Sequence, residues 1–92
     1  MNATRAETEK AERLLRAERT EIEGITVDYA LSRGKTAYSL RVEGAHREET
    51  LTDYTENPLL AEAFYLLVCE ERLLPGTLTD LWEEWQAAER KR

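Results

Sequence analysis

The stretch Asn57–Trp85, NPLLAEAFYLLVCEERLLPGTLTDLWEEW, decides the fold. Asn57 is a strong helix N-cap, and Pro58 fits the first helical position, where its missing N–H costs nothing. From Leu59 to Leu74 the chain is very apolar, with Glu and Arg filling most of the gaps. On a 3.6-residue wheel Leu60, Ala63, Phe64, Leu67 and Leu74 lie together. Leu59, Leu66 and Leu73 widen that face on one side and Val68 on the other. The polar strip narrows to Glu62, Tyr65, Cys69 and Arg72. So wide a face predicts contacts on two sides, a sheet below and a helix beside. Pro75-Gly76 breaks the run. Thr77 as N-cap with Asp80 three residues on then opens a second helix, whose stripe is Leu78, Leu81, Trp82, Trp85 and Ala88.

Working outward, the helical pair needs a surface to cover, and the preceding residues supply one. Ile25, Val27, Tyr29 and Leu31 alternate with polar or small residues, as do Tyr38, Leu40 and Val42. A period of two predicts half-buried strands, here joined through Arg33-Gly34-Lys35 as a hairpin. Gly44-Ala45-His46-Arg47 is the next turn. A third strand runs from about Glu49 to Asp53, with Leu51 and Tyr54 out of phase, which predicts a bulge or an early end. Residues 3–23 read as a charged helix. Glu9–Arg13 and Glu12–Arg16 have the favourable i,i+4 order, and Gly24 fits as the residue that ends it. Its apolar stripe, Ala11, Leu14, Leu15 and Ile22, is thin, so a chain starting at Gly24 is expected to fold. The fold class is α+β in the order α-βββ-αα: a charged N-terminal helix (3–23), a three-stranded antiparallel meander (25–55) and a helical hairpin (57–90), in one domain over residues 1–92.

Tyr38, Leu51 to Thr55, and Pro75, Leu78, Asp80, Glu83, Glu84 and Trp85 carry a resemblance. Over residues 25–86 the chain resembles a small bacterial domain family of unknown function, found in anaerobic Gram-positive bacteria and their mobile elements. The resemblance implies a meander followed by two helices, and no chemistry. The His that usually follows Pro-x in that family is Thr77 here, so no role of that His carries over.

Ninety-two residues at 41% hydrophobic content are enough for one modest core. A single cysteine forms no internal disulfide, and the expected compartment is cytoplasmic. The first residues lack the apolar run of a signal peptide, and Glu62, Glu70, Glu71 and Arg72 rule the Leu59–Leu74 run out as a membrane span. The net charge of −6 opposes direct binding to nucleic-acid phosphates and favours a basic partner.

No reaction is expected. His46 is the single histidine and stands in a turn beside Glu48 and Glu49, short of a metal site. Cys69 has no histidine near it along the helix to make a thiolate. Glu48/Glu49, Glu70/Glu71 and Glu83/Glu84 are adjacent carboxylates, and neighbours on a helix point about 100° apart, too divergent to act on one atom. No catalytic, cofactor-binding or metal-binding residue is therefore assigned. Two functional readings remain. The first is a non-enzymatic protein-binding module using Leu14, Leu15 and Trp85, with self-association through the N-terminal helix. The second is a mobile-element-encoded inhibitor of a host defence nuclease, of the anti-CRISPR kind, acting through Glu70, Glu71, Glu83 and Glu84.

Overall fold

A computed structural model describes residues 12–90. Four strands, β1 (Arg13–Ile22), β2 (Ile25–Arg33), β3 (Tyr38–Gly44) and β4 (Arg47–Thr55), precede two helices, α1 (Pro58–Glu71) and α2 (Leu78–Arg90). The strands form one antiparallel sheet in the order β1-β2-β3-β4. Both helices pack on one face, and the molecule measures 17 Å in its thinnest direction, the depth of one sheet and one helical layer. The other sheet face is open.

The meander has four strands, one more than expected, because residues 13–22 form β1 and no helix. The part of the expected helix before residue 12 lies outside the described residues. Glu23 (φ 51°) and Gly24 (φ 84°) make a two-residue turn with Ile22 paired to Ile25. Positive φ at both turn residues matches the right-handed twist of the flanking strands. Gly24 is thus a hairpin residue and ends no helix. The energetics favour the strand. Two helical ion pairs are worth roughly 0.3–0.5 kcal/mol each. Pairing covers the β2 edge along its length, at roughly 1 kcal/mol net per ladder hydrogen bond. The arginines take tertiary partners: Arg16 pairs with Glu62 of α1, and Arg19 holds Asp28 of β2 at 2.7 Å. Arg72 also donates to the Glu21 carbonyl at 2.8 Å. A chain starting at Gly24 therefore lacks one strand of the four-stranded sheet and leaves the β2 edge open.

The core lies where the period-two pattern places it. Val27, Tyr29, Leu31, Tyr38, Leu40, Val42 and Leu51 face the helices and are buried. Gly44 opposes Val27 so closely that a Cβ there would stand 2.9 Å from the Thr26 carbonyl oxygen. The expected irregularity in the last strand is a bulge. Tyr38 pairs with Thr55 and Leu40 with Leu51, so three residues of β4 oppose Ser39. Asp53 takes a left-handed conformation (φ 51°) and donates its N–H to Ser39 Oγ at 2.9 Å. Ser39 is buried as a result, although its phase belongs to the open face.

The bulge also brings Tyr54 to the helices, where its hydroxyl donates to the Ala61 carbonyl at 2.8 Å. Its ring meets Phe64 at 5.9 Å and Trp82 at 4.9 Å, and Phe64 lies 4.8 Å from Trp82 and 5.4 Å from Trp85.

Asn57 caps α1 as expected, accepting from Leu59 N at 2.9 Å and Leu60 N at 3.3 Å. The buried side of α1 is rotated from the expected one. Ala61, Phe64, Tyr65 and Val68 are buried, whereas Leu59 is 78% exposed and Leu60, Ala63, Leu66 and Leu74 are also exposed. Tyr65, expected on the polar strip, is inside. Nearly every position of this helix is apolar, so composition does not choose the buried side. Three tertiary anchors do: Tyr54 on Ala61, Arg16 on Glu62, and the Tyr29 hydroxyl donating to the Leu73 carbonyl at 2.8 Å.

Two measurements check this fold. Phe64→Ala is expected to cost on the order of 3–5 kcal/mol by cavity formation, read from urea unfolding. Glu23→Asn is expected to raise stability by a few tenths of a kcal/mol, because Asn-Gly suits this turn best. A loss on Glu23→Asn would contradict the β1–β2 hairpin.

Candidate functional site

The expected partner-binding residues fall into separate regions. Leu14 and Leu15 sit on β1, 62% and 42% exposed, and on no helix. A register shift between Leu14 and Arg16 leaves Leu15 as the extra residue. It sets Leu14 on the open sheet face, opposite Ser32. There it lines a groove of about 430 Å³ with Glu12, Ala30, Ser32, Arg41, Glu48 and Thr50. Its floor is small and polar, as the sequence predicts for this face.

Trp85 is on the opposite side of the molecule. Trp82 is buried, Trp85 is half-buried, and their rings lie 5.6 Å apart. With Tyr54 and Leu60 they line an apolar groove of about 190 Å³, edged by Gln86, Glu89 and Arg90. This division between the tryptophans follows from their position on the stripe. The exposure of Leu60, by contrast, was hidden in the sequence by the uniform apolarity of α1.

Glu70, Glu71, Glu83 and Glu84 are all exposed. The three ion pairs among the described residues engage other acids: Glu62, Asp28 and Glu48. From residue 56 to 90 the chain carries eight acidic side chains against Arg72 and Arg90. Residues 12–55 carry nine against seven basic ones. The helical layer is therefore the anionic side of the protein.

Glu48 and Glu49 show how neighbouring carboxylates diverge on a strand. Glu48 faces the open side, 3.8 Å from Arg41. Glu49 opposes Val42 and reaches the start of α2. Its Oε1 accepts from Gly76 N at 2.7 Å and Leu78 N at 2.8 Å. Its Oε2 accepts from Thr79 N at 3.1 Å and Thr79 Oγ1 at 2.9 Å. A carboxylate from another strand thus caps the helix, and Thr77, expected as the cap, instead donates to the Leu74 carbonyl at 3.2 Å. Burial raises the Glu49 pKa, but these hydrogen bonds outweigh it and leave the carboxyl below its ordinary value.

His46 is exposed in the β3–β4 turn, at φ 63°. No group of three or more His, Cys, Asp and Glu among the described residues is arranged to hold a metal ion. Burial pushes the Cys69 thiol up to about 11, which keeps it protonated at neutral pH. No described helix is long and apolar enough to cross a membrane.

Glu49→Ala removes four acceptor contacts and is expected to cost on the order of 1–2 kcal/mol, as cap losses do. Because the folded-state pKa is depressed, the stability Glu49 contributes is present above the ordinary carboxylate range. It is lost as pH falls through the folded-state value. Chemical denaturation across the acid range is expected to show a shallower acid loss for Glu49→Ala than for wild type. No family model matches the chain, and no curated protein or solved structure matches it.

Proposed function

We propose that this protein is a small protein-binding module without a reaction of its own, which takes an apolar side chain of its partner into the Leu60–Trp85 groove. The observation that carries this reading is the groove itself. Two tryptophans, a tyrosine and a leucine line an open apolar hollow on the surface. Aromatic-lined pockets of this kind are where binding energy concentrates at protein interfaces. The anionic helical layer around it favours a partner whose anchor residue sits in a basic segment.

A second reading keeps this side of the molecule and makes charge the main contact. Glu70, Glu71, Glu83 and Glu84 stand exposed on the two helices. That supports a mobile-element-encoded inhibitor which occupies the nucleic-acid groove of a host defence nuclease.

Both readings are tested on a partner captured from the native host by the wild-type chain. Leu60→Ser changes a side chain that is already 37% exposed, so the fold is expected to tolerate it. On the module reading it weakens partner binding about tenfold or more, an effect of about 1.4 kcal/mol, while added salt changes the dissociation constant little. Neutralising Glu70, Glu71, Glu83 and Glu84 to Gln is then a modest loss. A steep salt dependence, with a large loss on neutralisation and little on Leu60→Ser, would replace the module with the inhibitor.

A further inference from the structure

We infer that two copies of the chain join along β1, antiparallel across a two-fold axis at Ala17, into one continuous eight-stranded sheet. This joint lies at the opposite end of the sheet from the β4-side groove and is independent of it. β1 is an edge strand, and among the described residues no strand pairs with its outer side, where only the Glu21 carbonyl is engaged, by Arg72. It is the longest strand of the sheet, and from Arg13 to Arg19 every residue is exposed. In a two-residue hairpin the residues flanking the turn are hydrogen-bonded to each other, and the pattern alternates from there. Counting back from the Ile22–Ile25 pair, Ala17, Arg19 and Glu21 turn their N–H and C=O groups outward, and those of Ala17 and Arg19 are open while Arg72 holds the Glu21 carbonyl. A long strand with such an edge is a template for another strand.

The charges on β1 select the occupant and the register. A two-fold axis perpendicular to the sheet keeps facing residues on the same side, so the sum of their numbers must be even. With Ala17 opposite Ala17 of the second copy, Arg16 faces Glu18 and Glu18 faces Arg16, all on the helix side. The extra residue Leu15 turns Leu14 to the open face, where it comes opposite Arg19 of the second copy, and no like charges meet. Moving the axis one residue toward the hairpin sets Glu18 against Glu18. Moving it two sets Arg19 against Arg19. Moving it three spares the charges but shortens the overlap to the last few residues before the turn. The register centred on Ala17 is thus the one with complementary charge, and cross-strand ion pairs of this kind are favourable.

The helical layer agrees with this joint. Glu62 of α1 reaches Arg16 of β1, so the side of α1 bearing Leu59 and Leu66, three residues before and four after Glu62, borders β1. Both leucines are exposed, at 78% and 46%. The two-fold axis brings the α1 helices of both copies to the same face of the joined sheet, flanking the joint.

Sedimentation equilibrium of the full chain tests the proposal. The expected mass is twice the 10.7 kDa of one chain, with a reversible dependence on concentration. Ala17→Pro removes the central outward N–H, and Glu18→Arg sets arginine against Arg16. Each is expected to give a monomer whose circular dichroism spectrum matches wild type. Should Ala17→Pro fail to fold, Glu18→Arg decides. The register is read with Ala17→Cys in a Cys69→Ser background. Opposed residues in this position have Cα atoms about 5.5 Å apart, within disulfide reach. With oxidised glutathione that chain is expected to cross-link to a dimer much faster than Glu21→Cys, which stands four residues from the axis in each copy. A wild-type monomer at the highest soluble concentration overturns the proposal. So does a dimer that survives Glu18→Arg, or equal cross-linking at the two positions.

Discussion

The architecture depends on one side chain, Phe64. Its ring meets Tyr54 of β4 and both tryptophans of α2, at centroid distances of 4.8 to 5.9 Å. It therefore ties the first helix to the sheet edge and to the second helix at once. The rings meet at tilted and edge-on angles, the arrangements that add attraction beyond area burial. Tyr54 reaches this cluster only because β4 carries the bulge at Asp53, and the bulge is held by the buried Ser39 hydroxyl. Glu49 secures the other end of the arrangement, holding the start of α2 to the same strand. β4 is thus the scaffold for the helical layer, and the Leu60–Trp85 groove forms where α1 and α2 meet above it.

At the opposite end of the sheet the physics is different. β1 contributes little apolar burial. Polar links hold it: the ladder with β2, the Arg16–Glu62 and Arg19–Asp28 pairs, and the Arg72 bond to the Glu21 carbonyl. Exposed ion pairs are individually weak, so this end rests on backbone pairing. That explains how one strand can be both part of the sheet and almost wholly exposed. It also separates two kinds of surface, an aromatic, anionic one on the β4 side and an edge of mixed charge on the β1 side.

Much of the fold is legible in the residues, and the failures have identifiable causes. The strands β2 and β3, the bulge, the Asn57 cap and the split between Trp82 and Trp85 all follow from local pattern. For β1 the i,i+4 Glu-to-Arg order was genuine, but its helical value is smaller than that of a ladder with an otherwise open β2 edge. The Glu23-Gly24 turn was the signal for the strand, and Gly24 alone fits a helix end equally well. The candidate site was half legible. Trp85 stands out from its place at the end of a clean stripe. Leu60, Leu59 and Leu66 do not, since on a helix apolar all round the wheel has no preferred side.

Residue pattern suffices for the elements whose stabilisation is local or periodic: the half-buried strands, the helix starting at Asn57 and the break at Pro75-Gly76. It also determined the acidic character of the last third of the chain. Tertiary structure alone decided which state residues 13–22 adopt, which side of α1 is buried, and which group caps α2. Each of those outcomes turns on a partner distant in the chain: the β2 ladder for residues 13–22, Tyr54 and Tyr29 for α1, and Glu49 for the N–H groups at residues 76–79. Local propensities of a few tenths of a kcal/mol cannot outweigh such contacts once the chain has closed.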